Sequence, residues 1–506
     1  MGVGQLSVER RLVWSRPWLL RLAGAMAVLA ALVPYVAAFQ ATWIDDAYIQ
    51  LRYARTLIDS GTWGFYPGYP ANTATSPLNV LLLALVGLPL GSVTSALLWL
   101  TVAELAALLW LLLRLSRRLF GGPFFGWFAF VAVATNLLLL STIGMESLLY
   151  ALLMVAAVVL FLEGRWPAMG VALGLLTLAR PDGVLLLAIL LPLAEAGWRR
   201  KGEALLAYAA TIAPWFVYSW LALGSFVPDT LVIKVNDRAW GATTFADGLA
   251  LFLHRFPLET ASSLLLAPLA IFPVWRCAQD VVRVATVLVA YAALHYALYT
   301  ALGVPPFHWY FVHQIVPLLL LGSMGAAYHA GRLEAARPRW LGWVRWPALL
   351  VPAAGLLLLA WDEGFPFREA PINTNWATSG QYRGAGLWMR ENLPPGAGVA
   401  VHGEIGTVSL FAGQYLVNEF SDMSVADRLI AEAGYEGRSG VIGPLAKLNF
   451  WWRREHRPLP APTYELVQPN ADGLPRCVPE DPACRMAWDA KTDWIRGKWI
   501  VIRQIG

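Results

Sequence analysis

Trp43-Ile44-Asp45-Asp46-Ala47-Tyr48-Ile49 places two adjacent carboxylates just past an apolar run that begins near Trp18, and about 20 such residues cross one bilayer. Charges are rare where a chain leaves a membrane unless solvent, a partner or chemistry requires them there. The pair therefore marks the first loop of a membrane protein and the centre of a candidate active site. Of 506 residues, 58% are hydrophobic and only 14% charged, and the mean hydropathy is +0.54. That composition excludes a soluble multidomain protein. The formal net charge of +5 does not point to nucleic acid, because most Lys and Arg fall in short clusters between apolar runs, which is an orientation signal.

Arg10, Arg11, Arg16 and Arg21 precede the first apolar run and place the N-terminus in the cytoplasm. With no clear small-x-small cleavage site, that run reads as a retained helix rather than a signal peptide. Tyr48, Leu51, Ala54, Leu57 and Ile58 recur at helical spacing, which predicts an amphipathic helix lying on the membrane surface. Ser76 as N-cap and Pro77 at the first helical position open a second interfacial or re-entrant helix. Beyond it, basic clusters used as cytoplasmic markers delimit spans over 93–113, 124–142, 148–162, 169–178, 184–196, 204–223, 260–274, 284–302, 311–328 and 346–361.

The expected fold is an all-α polytopic membrane protein of about eleven transmembrane helices over residues 1–361, with interfacial helices in a first outer loop over 39–92. After Trp361 the composition becomes that of a soluble domain. A helix over 381–393 and strands over 399–401, 415–417 and 498–504 predict a small α/β domain, 362–506, on the extracytoplasmic (periplasmic or extracellular) face of the inner (plasma) membrane. In its tail Cys477 and Cys484 either close a small disulfide loop or are two free thiols.

On this topology Asp45, Asp46, Glu146, Arg180, Asp182, Lys234, Asp237, Arg238, His254 and His308 gather on one side. Two neighbouring carboxylates repel when both are ionised, so one is raised towards the range of a general base; the same pair also suits a helix N-cap. Arg180 precedes Pro181 and so sits at a helix break, where its fork can grip a phosphate or form a salt bridge with Glu146 and Asp182. Lys234 supplies a second cation near an anionic head group. His308-Trp309-Tyr310 faces a sugar or belongs to the aromatic belt. His254 and His313 read as structural, and no His or Cys spacing argues for zinc. No cofactor is established; a divalent cation, Mg2+ or Mn2+, is compatible with the acidic pair.

Asp45-Asp46-Ala47-Tyr48-Ile49 with Arg52-Tyr53-Ala54, Thr75-Ser76-Pro77-Leu78, Gly144-Met145-Glu146-Ser147 and Arg180-Pro181-Asp182-Gly183 resemble motifs of the GT-C superfamily of membrane glycosyltransferases. The chain looks most similar to the branch containing the mycobacterial terminal arabinofuranosyltransferase, and the stretch 382–421 is similar to that family's outer domain. The resemblance implies a polyprenyl-phosphate sugar donor, possible arabinofuranose transfer, and an inverting reaction with one Asp, Asp45 by preference, as base. It makes Glu146, Arg180, Asp182, Lys234, His308, Tyr48 and Arg52 candidate substrate contacts. Asp229 stands where the family has Asn, and Asn79 where an aromatic is common.

The leading expectation is transfer of a sugar to a hydroxyl of a cell-envelope glycan, glycolipid or protein. The alternative is a transporter or flippase of a lipid-linked or anionic substrate, which requires charges near the middles of spans and symmetry between halves; a surface sensor would leave the acidic pair without a role.

Overall fold

The apolar runs fold into helices that pack as one bundle. The computed structural model describes residues 17–236, 243–336, 346–432, 434, 442–467, 484–490 and 498–505. In order these are α1 (Pro17–Ala37), α2 (Asp45–Ser60), α3 (Pro77–Leu90), α4 (Val93–Phe120), α5 (Phe124–Ala134), α6 (Leu137–Leu140), α7 (Ser147–Leu162), α8 (Trp166–Ala179), α9 (Val184–Leu193) and α10 (Trp198–Ala222). There follow α11 (Thr230–Asn236), α12 (Gly248–Arg255), α13 (Pro257–Ser263), α14 (Ala267–Ala270), α15 (Gln279–Ala301), α16 (Val312–Ala336) and α17 (Leu350–Glu363). Four of the described helices are long and apolar enough to cross a membrane: α4, α10, α15 and α16 with the turn before it.

Basic clusters meet at one end of the bundle. Arg114 of α4 pairs with Glu163 after α7 (2.6 Å), Arg118 with Asp280 of α15 (2.6 Å), and Arg283 with Glu195 (2.6 Å). Elsewhere small residues bring helices together: a Cβ on Gly170 of α8 would lie 2.1 Å from the Ala204 carbonyl of α10, and one on Gly174 would lie 2.6 Å from Thr211. This is the close backbone approach that small-xxx-small spacing permits between membrane helices.

Three expectations are corrected. The span over 124–142 breaks at Thr135-Asn136, because the Asn136 side chain accepts from Leu139 N (3.2 Å) and starts α6 anew. The span over 260–274 is not one helix but α13 and α14, opened by Pro257 and Pro268; the stretch still runs beside α16, with Phe272 against Tyr328. Third, α2 does not lie on a surface. It is packed between α3 and a C-terminal helix, and its polar Gln50 and Thr56 are buried along with Leu51 and Ala54.

The predicted helix N-cap holds at α3, where the Ser76 hydroxyl accepts from Asn79 N at 3.4 Å and Pro77 occupies the first position. After α17 the chain forms a mixed sheet with α18 (Ser379–Asn392), β1 (Gly398–Val401), α19 (Gly406–Phe411), β2 (Tyr415–Val417), α20 (Met423–Glu432), α21 (Ile442–Asn449), β3 (Pro462–Val467), β4 (Cys484–Ala490) and β5 (Lys498–Gln504). The strand order is β2-β1-β3-β5-β4, with β1 parallel to both neighbours and the β3, β5 and β4 pairs antiparallel. The expected pairing of Cys477 with Cys484 cannot be placed, since Cys477 lies outside the described residues. One apolar cluster runs from Ala47 and Leu51 of α2 to Val399, Leu416 and Ile502 of the sheet, so the first loop and the C-terminal region share a core.

Candidate active site

The acidic pair opens α2, whose N-cap is Ile44 with no side-chain cap bond. Neither aspartate therefore caps its own helix. Asp45 instead reaches the C-terminal region: its Oδ2 accepts from Gly406 N (2.6 Å) and its Oδ1 from Thr407 N (2.7 Å), the first amides of α19. A side chain from another element thus satisfies donors that a helix start leaves open. Burial pushes the Asp45 carboxyl up to about 6, the Thr407 and Gly406 amides oppose that rise, and the charge of Asp46 adds least. Mutual repulsion, the sequence argument for a raised pKa, is the smallest of the causes.

Asp46 turns the other way. Its carboxylate receives Lys234 Nζ at 3.1 Å and retains 23% side-chain exposure. It lines a small cavity of mixed character, with Gln50, Thr73, Thr75, Thr230 and Lys234 beside the apolar Ile49, Met145 and Phe420. Lys234, on α11, is desolvated, which lowers its pKa, but the charge of Asp46, the Tyr310 hydroxyl and the hydrogen bond to Asp46 together outweigh that and raise it, so it is an ammonium at neutral pH. Its ammonium sits over the rings of Phe307 (4.6 Å) and Trp309 (5.0 Å), close enough for a cation–π contribution. Of its three donors, one is engaged by Asp46.

Lys234, Thr75 and Thr230 also border a second cavity of about 250 Å³. Its walls are largely apolar, including Val184, Leu185, Leu298 and Leu302, and Arg180 and Lys234 lie at its polar side. Arg180 is held at the helix break before the turn Pro181–Gly183. Its Nη1 donates to Glu146 (2.7 Å), its Nε to Asp182 (3.3 Å) and its Nη2 to the Tyr299 hydroxyl (3.2 Å). The salt-bridge alternative for Arg180 is thus realised while the guanidinium still faces the cavity and lies 5.2 Å from the Tyr310 ring centre. Glu146 in turn accepts from Gln50 Nε2 (2.5 Å), and Gln50 accepts from Asn79 (2.6 Å). The polar chain gives Asn79 a role, as the donor to Gln50.

The structure gathers Asp46, Arg180, Asp182 and Lys234 around these two cavities, with Glu146 behind them, bonded to Gln50 and Arg180. Arg52 lies apart, donating to the Phe65 carbonyl (2.7 Å) and covering Tyr66, and Tyr48 packs against Trp43 and Phe411. His308 is buried, its Nε2 3.4 Å from the Ser141 carbonyl, and lines neither cavity. His254 is exposed; Asp237 and Arg238 lie outside the described residues. Sequence reasoning missed Tyr299 and His295; a polar group inside the apolar run of α15 was the signal that could have found His295.

Because both oxygens of Asp45 are occupied by amides and Asp46 is paired with Lys234, the acidic pair does not present two free carboxylates to Mg2+ or Mn2+. Asp229, where the resemblance implies Asn, is buried and accepts from Arg453 Nη1 through both oxygens (2.9 Å each). That ion pair ties the loop before α11 to the C-terminal region.

The helical bundle thus encloses a largely apolar cavity whose lining includes Arg180, Asp182 and Lys234. No family model matches the chain, and no curated protein matches it. Among solved structures it is similar to ArnT from Cupriavidus metallidurans bound to undecaprenyl phosphate, with 12% identity, a TM-score of 0.57, and 96% of this chain and 98% of that one covered. It is similar also to the archaeal oligosaccharyltransferase AglB from Archaeoglobus fulgidus in complex with an inhibitory peptide and a dolichol-phosphate, with 13% identity, a TM-score of 0.53, and coverage of 88% and 70%. The arabinofuranosyltransferase AftD from Mycobacteria matches at 17% identity and a TM-score of 0.49, over 90% of this chain and 35% of that one. The chain shares the fold of ArnT and of the archaeal oligosaccharyltransferase AglB.

Proposed function

We propose that the protein is a membrane glycosyltransferase that moves a sugar from a polyprenyl-phosphate donor to a hydroxyl of a cell-envelope glycan, glycolipid or protein, on the extracytoplasmic face. The carrying observation is the junction at Lys234, which borders both the apolar cavity and the smaller cavity that holds Asp46. The polyprenyl chain fits the first, and the phosphate meets Lys234 and Arg180 where the two join. That the similar structures hold undecaprenyl phosphate and a dolichol-phosphate supports the same ligand class. The sugar is a pentose such as arabinofuranose or a hexose.

Asp46, rather than Asp45, is the base. The acceptor hydroxyl gives its proton to Asp46 as its oxygen bonds to the anomeric carbon; the bond from that carbon to the phosphate oxygen breaks, and the lipid phosphate leaves with both electrons, held by Lys234. Attack opposite the leaving group inverts the anomeric centre. Asp45 has no comparable freedom, with an amide on each oxygen.

The test uses the full chain in nanodiscs with radiolabelled polyprenyl-phosphate arabinofuranose and polyprenyl-phosphate hexoses, and a soluble oligosaccharide acceptor. Transfer from one donor, with free polyprenyl phosphate released in equal amount, is expected, and Lys234→Ala raises the KM for donor. Failure to turn over any of these donors, or unchanged donor KM in Lys234→Ala, overturns the reading.

A further inference from the structure

We propose that Asp182, His295 and His313 form a site for a divalent transition metal of the zinc class, buried beside the apolar cavity, whose lining includes Asp182. The three come from separate elements: the turn between α8 and α9, the last two turns of α15, and the start of α16. Nε2 of His295 lies 3.4 Å from Asp182 Oδ2 and Nε2 of His313 lies 3.5 Å from it. All the donor atoms lie within 4.8 Å of one another. A tetrahedral zinc with bonds of about 2.0–2.1 Å sets its donors about 3.4 Å apart, which the two Nε2–Oδ2 distances match.

Both Nε2 atoms and Asp182 Oδ1 are buried without a hydrogen-bond partner, and the side chains are 0%, 0% and 5% exposed. Asp182 Oδ2, the oxygen that the two Nε2 atoms approach, already accepts from the Tyr299 hydroxyl (2.5 Å) and Arg180 Nε (3.3 Å); the unpaired Nε2 atoms and Oδ1 are costly to bury, and a cation held between the two imidazoles and this carboxylate removes that cost. The far nitrogens are arranged for it. His313 Nδ1 is 2.7 Å from the Tyr291 hydroxyl, which also bonds Tyr150, and His295 Nδ1 is 3.0 Å from Gln314 Nε2. Gln314 Oε1 is itself unpaired. Gln314 Nε2 also donates to the Ala292 carbonyl (3.3 Å); exchanging the amide's oxygen and nitrogen gives up that bond and lets Gln314 accept from His295 Nδ1–H. Each imidazole then points a lone pair at the shared centre, its tautomer set by an outer partner, as in metal-ligating histidines.

Charge and donor type narrow the ion. Arg180 Nε is 3.3 Å from Asp182 Oδ2, but Glu146 pairs with the same guanidinium at 2.7 Å, so one carboxylate charge remains to face the ion. Two imidazoles and one oxygen suit zinc and its neighbours rather than Mg2+ or Ca2+. A bound ion clamps the turn that carries Arg180 and so positions that guanidinium beside the cavity. The inference does not rest on the transferase reading, because metal binding is read without turnover.

The test takes untagged full-length protein, stripped with EDTA, exposed to Zn2+ alone, desalted and assayed by mass spectrometry for zinc. About one zinc per chain is expected, and at least tenfold less in the His295→Gln, His313→Gln double variant; Lys234→Ala keeps its zinc. A wild type that holds no zinc, or a double variant that holds as much, overturns the site. Should the double variant fail to fold, X-ray absorption of the Co2+-loaded wild type decides: two imidazoles around the metal support the site, and a shell without imidazole overturns it. Loss of sugar transfer with zinc retained counts against the transferase reading alone.

Discussion

Asp45 and Asp46 differ by about 100° around a helix of 3.6 residues per turn, and that rotation assigns them different work. Asp45 faces α19 and holds two amides; Asp46 faces the cavity and Lys234. Asp46→Asn is expected to lower kcat by about 10²–10⁴-fold, the range of a lost general base, and also to lower the unfolding temperature, because the desolvated Lys234 ammonium loses its carboxylate partner. Asp45→Asn replaces one acceptor oxygen by an amide nitrogen that cannot accept, leaving an α19 amide unpaired at a cost of about 1–3 kcal/mol; it is expected to lower the unfolding temperature while leaving measurable transfer. The opposite pattern, stable Asp45→Asn without activity and active Asp46→Asn, would return the role of base to Asp45.

At the scale of elements, the contact between α2 and α19 is the structural hinge of the site. A Cβ on Gly406 would lie 2.1 Å from the Asp45 carbonyl oxygen and 2.7 Å from Ile49 N. Gly406→Ala must therefore push the helices apart, and overpacking of this kind costs about 1–3 kcal/mol. Faster limited proteolysis of the C-terminal region is the expected result; an unaltered cleavage rate counts against a tight junction. Periodicity identified α2 as a helix and Ser76-Pro77 as the start of α3, since local propensity and capping are properties of the chain itself. It did not show that Gln50 and Thr56 are buried, because Glu146 and the Phe65 carbonyl, which satisfy them, are not helix neighbours. The break of the span over 260–274 is written in Pro257 and Pro268, but the packing along α16 that accommodates it is not.

Across the whole molecule, the first loop and the C-terminal region meet through acidic groups that burial perturbs. Burial pushes Asp45 up to about 6 from 3.8, and it pushes Glu404, which accepts from Tyr382 (2.6 Å) and Trp376 N (3.0 Å), up to about 7 from 4.5. Both native pKa values exceed the unfolded ones, so between about pH 4 and pH 7 the folded protein binds more protons than the unfolded chain. Their contribution to stability is full below the unfolded pKa values and is lost as pH rises through the folded ones. Unfolding temperature in detergent is expected to carry a component that falls from pH 5 to pH 7.5, and Glu404→Gln should flatten it; an equal slope in that variant counts against Glu404 as its source.

By itself the sequence determined the alternation of apolar runs and basic clusters, the helix after the acidic pair, and the change to an α/β region after α17, because hydropathy, capping and strand patterning are encoded over a few neighbouring residues. It also brought forward Asp46, Glu146, Arg180, Asp182 and Lys234 as one-sided charges. Only the tertiary structure decided which aspartate meets the cavity, that Asp229 is matched by Arg453, and that His295 and His313 converge on Asp182. Those relations join residues tens to hundreds of positions apart, and their energies arise from desolvation and pairing that exist only once the helices have packed.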